Sequence, residues 1–207
     1  MSEINEAIKA VGNAIIEQKE FLTDLDRAIG DGDHGINMAR GFNAVFTKID
    51  ALPDDADLST ILKTIGMGLI SSVGGAAGPL YGTAFMRAGK VVKDKTTIEN
   101  VDIIAMLDAA IQGIKDRGKA EKGEKTMLDA LVPARDTFVK AIAEHKSAVE
   151  ALGEAIKSAQ DGVEFTKTII ATKGRASYVG ARSIGHQDPG ATSATIMLKA
   201  LYAFYTK

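Results

Sequence analysis

Apolar residues recur at helical spacing along almost all of this 207-residue chain, and strict two-residue alternation is hard to find. Ile4, Ile8, Val11 and Ile15 share one face, as do Val101, Ile104, Leu107, Ile111 and Ile114, and later Val149, Leu152, Ile156 and Val163. This periodicity predicts an all-α protein of eight helices, over about 2–23, 34–50, 58–73, 78–93, 98–117, 125–145, 147–172 and 189–206. The punctuation agrees. Leu58-Ser59-Thr60 opens the third helix after Pro53 and a cluster of Asp residues, and Pro79 and Pro189 suit first turns, where a missing N–H costs nothing. Pro133 falls inside the sixth helix and is expected to kink or split it. Short connections imply antiparallel neighbours, and the length suits one domain over residues 1–207.

Composition excludes several chemistries. There is no cysteine, hence no disulfide framework, thiolate metal site or cysteine nucleophile. A net charge of -2 gives no reason to expect nucleic acid or an anionic membrane as a partner. Charge punctuates the first twenty residues, so no signal peptide is expected, and no stretch reaches the roughly 18 apolar residues of a membrane span. The weakly charged run from Thr64 to Met86 is broken by glycines and Pro79. A cytoplasmic protein is the expectation.

Packing does not explain the glycines. Five connections are rich in them: Gly30–Gly35, Gly74–Gly82, Gly118–Lys125, Gly174–Gly180 and Gly185–Gly190. In an up-and-down bundle alternate connections share an end, so these loops could present bare backbone N–H groups to one ligand.

The densest chemistry lies in Leu25-Asp26-Arg27-Ala28-Ile29-Gly30-Asp31-Gly32-Asp33-His34-Gly35. Asp31 and Asp33 point the same way in an extended segment, and Asp26 at the preceding helix end can close a triangle with them. Three like charges this close repel unless a cation joins them, and an all-oxygen set suits Mg²⁺ far better than Zn²⁺. An EF-hand is excluded, because Ile36 and Phe42 stand where its Gly and Glu belong. The residues equally suit Asp33 as a helix cap beside two solvated turn acids.

Three further segments are phosphate-binding candidates, each also readable as plain structure. Ser71–Pro79 is a Gly-rich turn before a helix start, but it is neither a Walker A loop nor a dinucleotide fingerprint. Gly118–Thr126 resembles a P-loop with one residue too many, and a helix precedes it where a P-loop needs a strand; Lys125 or Thr126 could still meet a nucleotide. Gly174–Ala191 carries Arg175 and Arg182 and ends at a helix start capped by Asp188, a long loop that could fold over phosphates. His34 and His186 sit in Gly-rich loops, whereas His145 lies on a charged helix face.

Together these blocks, LDRAIGDGDHGINMARGF (25–42), SSVGGAAGPLYGT (71–83), RGKAEKGEKTM (117–127) and GRASYVGARSIGHQDPGATS (174–193), resemble the ADP-binding L subunits of bacterial phosphotransferase-dependent dihydroxyacetone kinases. The resemblance spans nearly the whole chain and implies an antiparallel eight-helix barrel with the nucleotide at one end. It implies that Asp26, Asp31 and Asp33 hold two Mg²⁺ ions bridging the diphosphate. It aligns His34, Gly35, Asn37, Ser72, Gly75, Ala76, Gly118, Thr126, Met127, Arg175, Asp188, Pro189 and Gly190 with nucleotide-contacting segments, Arg175 being the one candidate for a catalytic contact. Ala77 departs from the family, where Ser is common at that position.

The implied activity is a relay. A phosphohistidine on a phosphotransferase partner rephosphorylates resident ADP, and the ATP formed passes its γ-phosphoryl to dihydroxyacetone held on a separate K subunit. The chain alone would then be inactive on dihydroxyacetone. Two alternatives use the same motifs: an ATP-exchanging kinase for another partner-held substrate, and a non-catalytic reporter of nucleotide state to a transcriptional regulator.

Overall fold

The computed structural model describes residues 3–95 and 97–207. The predicted start of the first helix at Ser2 lies outside them. Among the described residues are nine α-helices, one 3₁₀ helix and no strand: α1 (Glu3–Glu17), α2 (Lys19–Ile29), α3 (His34–Asp50), α4 (Leu58–Ser72), α5 (Ala77–Val91), α6 (Asn100–Gly118), α7 (Leu128–Ala143), α8 (Ala148–Thr166), the 3₁₀ helix (Arg175–Ser183) and α9 (Pro189–Tyr205). No helix among them is long and apolar enough to cross a membrane.

The ninth helix arises because the predicted first one breaks at Gln18 and runs on to Ile29. Helical bonding crosses the break, from Gln18 N–H to the Ala14 carbonyl at 3.2 Å and from Leu22 N–H to the Gln18 carbonyl at 2.9 Å. Both α1 and α2 pack against α3 and α9, so they form one bent rod. Each later helix packs on the next, and α9 returns to α1 and α2. Eight rods therefore close a ring, the antiparallel barrel that the resemblance implied.

Local chemistry sets most boundaries. The Asp57 carboxylate accepts from Thr60 N–H at 2.6 Å and opens α4. Ser147 and Glu150 make a reciprocal capping box for α8, and Glu99 and Asp102 make one for α6. Helix α7 begins at Leu128 rather than 125 because Lys125 has a left-handed φ of 60°. The Asp129 carboxylate then caps the turn, accepting from Gly123 N–H at 2.5 Å and Thr126 N–H at 2.8 Å. One further boundary differs from expectation. Helix α8 stops at Thr166, because the chain bends there and the Thr166 carbonyl accepts from the Lys125 ammonium at 2.5 Å. Pro133 lies within α7 without splitting it. The carbonyl it leaves without an N–H, that of Asp129, faces Gly162 of α8 so closely that a Cβ there would collide with it.

Two apolar clusters fill the ring. The larger, with Leu22, Met38, Phe42, Ile65, Leu69 and Leu128, joins α1–α7 and α9. The smaller is an alanine seam, Ala130, Ala134 and Ala141 on α7 against Ala151, Ala155 and Ala159 on α8, where small side chains let two helices approach closely. Alternation of direction puts the C-terminal ends of α2, α4, α6 and α8 at one pole. The N-terminal ends of α3, α5, α7 and α9 share that pole.

Candidate functional site

That pole holds a cavity of about 710 Å³, within the roughly 300–1,000 Å³ typical of small-molecule sites. Its wall includes His34, Ala77, Met127 and Pro189, each at the start of a helix. Four helix N-termini thus converge, and their aligned dipoles favour an anion. Glycines of the other connections, Gly74, Gly75, Gly118 and Gly174, complete the wall.

On one side stand the carboxylates. Asp26, Asp31 and Asp33 each offer an oxygen, and these atoms lie within 4.8 Å of one another. Asp26 is buried, Asp33 half-buried and Asp31 exposed. The cap of α3 is made by Asp26: its Oδ2 accepts from Asp33 N–H at 2.9 Å and from His34 N–H at 3.2 Å. Asp33, the expected cap, makes no capping bond, and its carboxylate stays available. Gly30 is required beside this group, because a Cβ there would collide with Asp26 Oδ1. Hard oxygen donors with this convergence fit Mg²⁺.

Behind them runs a buried polar chain. His34 Nε2 lies 2.9 Å from Ser193 Oγ, which lies 2.8 Å from the Tyr81 hydroxyl; that hydroxyl donates to the Gly190 carbonyl at 3.0 Å. Burial pulls the imidazole down to about 4, against the opposing pull of Asp26, so the ring is neutral at pH 7. Burial also pushes the Tyr81 hydroxyl up. Neither group is ionised, and the chain ties α3, α5 and α9 together. Nearby, Arg40 donates to Asn37 Oδ1 at 2.7 Å and to the Ser72 carbonyl at 2.9 Å.

The opposite side is the segment 167–188. Arg175 Nε reaches Asp31 Oδ2 at 3.1 Å, closing the loop over the acidic corner. Both side chains are largely exposed, so this pair is worth little to stability. Tyr178 stands at the rim with 81% of its surface exposed. Asp188 caps α9, its Oδ2 accepting from Ala191 N–H at 2.6 Å. Burial pushes its carboxyl up to about 7, with the Asp129 charge adding to the rise.

Most of the residues singled out in the sequence meet here. Asp26, Asp31, Asp33, His34, Asn37, Gly75, Ala76, Gly118, Thr126, Met127, Arg175, Asp188, Pro189 and Gly190 all line the cavity. Gly35 and Ser72 do not. Gly35 packs against α2, where a Cβ would collide with the Lys19 carbonyl, and Ser72 ends α4 with its carbonyl turned to Arg40. His186 is exposed, off the wall. The sequence reading missed the apolar lining, Leu80, Ile114 and Ala120, and the rim residue Tyr178. Leu80 and Ile114 carry only the signal of core positions.

A sequence model of the DAK2 domain matches residues 28–203. The chain belongs to the DAK2 domain family. Among DAK2 relatives, the PEP-dependent dihydroxyacetone kinase, ADP-binding subunit DhaL, of Escherichia coli is 45% identical over 190 residues, which is 92% of this chain and 90% of that subunit. The PTS-dependent counterpart of Lactococcus lactis is 40% identical over 187 residues, 90% of this chain and 88% of that one. The dihydroxyacetone kinase of C. freundii in complex with AMP-PNP and Mg²⁺ superposes with a TM-score of 0.74 at 26% identity, covering 96% of this chain and 33% of that one. The chain therefore spans about a third of the solved kinase structures it matches.

Proposed function

We propose that this chain is the nucleotide-holding subunit of a phosphoenolpyruvate-dependent dihydroxyacetone kinase, with ADP and ATP as alternating occupants of the polar cavity. The observation that carries the reading is the trio Asp26, Asp31 and Asp33 at a pole where four helix N-termini converge. The names of relatives matched over nine-tenths of their length, and a solved relative holding AMP-PNP and Mg²⁺, support it.

Two Mg²⁺ ions, held by Asp26, Asp31 and Asp33, would offset charge on the diphosphate and on a transferring phosphoryl group, the main requirement of such transfers. The helix N-termini that begin at Ala77 and Pro189 orient phosphate oxygens by backbone N–H donation from residues of their first turns, Gly190 following the proline. Leu80, Ile114 and Met127 give an apolar slot for the base. Arg175, paired with Asp31, covers the phosphate end from the loop side of the wall and brings a side-chain cation there. Bound ADP takes the phosphoryl group from a phosphohistidine partner, and the ATP so formed passes it to dihydroxyacetone on a K subunit, leaving ADP in place. Those partners place it in the cytoplasm. A transcriptional regulator sensing the nucleotide state is a finer part of this reading; binding that ignores Mg·ADP loading would remove it.

The test is nucleotide content. Acid-denatured wild-type protein, after gel filtration, should release about one ADP per chain on anion exchange. Asp31→Asn and Asp33→Asn should lose it while far-ultraviolet circular dichroism stays helical. An empty wild-type site points to the ATP-exchanging alternative. Full retention in both variants sinks the metal assignment. Added K and phosphohistidine partners that give no phosphoryl flux would leave the regulatory role alone.

A further inference from the structure

Lys125 is not used by the reading above, and it is the one lysine among the largest fully buried side chains, 1% exposed. Its ammonium donates to the carbonyls of Thr166 at 2.5 Å, His186 at 2.5 Å and Ser183 at 2.7 Å, with Ile169 at 3.4 Å. These acceptors stand at the two ends of one segment. Thr166 and Ile169 belong to the point where α8 ends, and Ser183 and His186 to the point where the chain re-enters α9. Between them lies the loop that brings Arg175, Ser177 and Tyr178 to the cavity.

A cation caged by uncharged carbonyls is an unusual way to satisfy a buried charge. Lys side chains are seldom fully buried, and burial holds this ammonium below its ordinary range, a cost that Asp188 and Asp129 at longer range and three strong charge-assisted bonds offset in part. The backbone accommodates it at a left-handed φ of 60°. Other bonds join the same neck: Gly185 N–H to the Lys167 carbonyl at 2.8 Å, Ala171 N–H to Ser183 Oγ at 3.0 Å and Asp188 N–H to Thr166 Oγ1 at 2.9 Å. Lys125 reaches both sides at once from a third place in the chain, through a single atom.

We propose that Lys125 is a positioning residue whose ammonium pins the neck of the 167–187 loop, so that the loop holds Arg175 over the acidic corner before any ligand arrives. Lys125 also lines the cavity, but its ammonium is engaged by the carbonyl cage rather than by the acidic trio, so it acts through the loop. The part of the claim that concerns ligand affinity rests on the nucleotide reading; the part that concerns the loop does not.

The full chain, stripped of nucleotide, is compared as wild type, Lys125→Met and Lys125→Gly. The probes are Mg²⁺ with ADP by calorimetry and trypsin cutting after Lys173, Arg175 and Arg182. Lys125→Met should weaken Mg·ADP and speed cutting, each about tenfold or more, as expected for removing charge-assisted buried bonds. Glycine accepts the positive φ and leaves the carbonyl cage open, so n-butylammonium should restore both readouts to Lys125→Gly, whereas butanol should restore neither. A merely space-filling lysine would give the reverse, with butanol as good as butylammonium. Unchanged affinity and cutting in a folded Lys125→Met overturns the proposal. Should neither variant fold, acetylation of the wild type decides: Lys125 should be labelled no faster and no slower than trypsin opens the loop. Cutting that far outpaces labelling shows a loop opening without releasing Lys125, which also overturns it. A wild type that binds no Mg·ADP would defeat the nucleotide reading and leave the loop arms intact.

Discussion

Asp26 divides one carboxylate between two tasks. Its Oδ2 takes the N–H groups of Asp33, just before α3, and of His34, its first residue, while Oδ1 stays beside Gly30, and the other two acids are free of capping duty. The cap therefore fixes where the metal-facing atoms sit, since moving Asp26 also moves the start of α3. Asp188 shows a different balance. Its carboxyl titrates at about 7 in the folded chain and near the ordinary 3.8 when unfolded, so the folded state holds the proton more tightly. The stability this contributes is complete below about 4 and is lost as pH rises through about 7. Asp188→Asn keeps an acceptor for Ala191 N–H and removes that loss. In protein stripped with EDTA, the melting temperature of the variant relative to wild type should climb between pH 5 and pH 8. A flat difference across that range would show that Asp188 is already ionised in the fold.

Among the elements, α7 and α8 are the most tightly joined, and Gly162 marks their closest point. Gly→Ala inside a helix ordinarily gains up to about 1 kcal/mol of propensity. At Gly162 the new methyl would strike the Asp129 carbonyl, a backbone atom that cannot step aside. A net loss of about 2 kcal/mol in urea unfolding is expected, the usual scale of overpacking. Gly153→Ala on the same helix meets only the Tyr202 ring, at 3.1 Å, and should be about neutral. Equal effects in the two variants would refute the seam argument. The helices were legible in the sequence because burial repeats with their period, and the acidic trio because three carboxylates and two glycines crowd eight residues. The end of α8 was not, since Thr168, Ile169, Ile170 and Ala171 extend the apolar run and the bend is imposed by Lys125, forty residues earlier. Gly35 and Ser72 share the Gly-rich and hydroxyl character of true wall residues, and only the packing of α2 and the reach of Arg40 take them away. The apolar slot was illegible for a related reason: Leu80 and Ile114 look like any other inward-facing position until the ring shows which end they occupy.

At the scale of the whole molecule, the occupied pole should stiffen the ring, because its wall draws on α2, α3, α5, α6 and α9. A ligand that binds only the folded chain stabilises it by mass action, about 2.7 kcal/mol at a hundred times its dissociation constant. Mg·ADP should therefore raise the melting temperature of stripped protein, and EDTA should reverse the rise. A midpoint indifferent to EDTA would mean that the nucleotide binds without the carboxylates. The closed circuit also decides where the chain enters and leaves. α1 lies against α9, and burial, with the charge of Glu3 adding to it, raises the Tyr205 hydroxyl pKa, so both of these residues sit at the blind pole, a barrel length from the mouth. Anything tethered there, whether a bead, a dye or a second protein, would leave the opening facing outward and unobstructed.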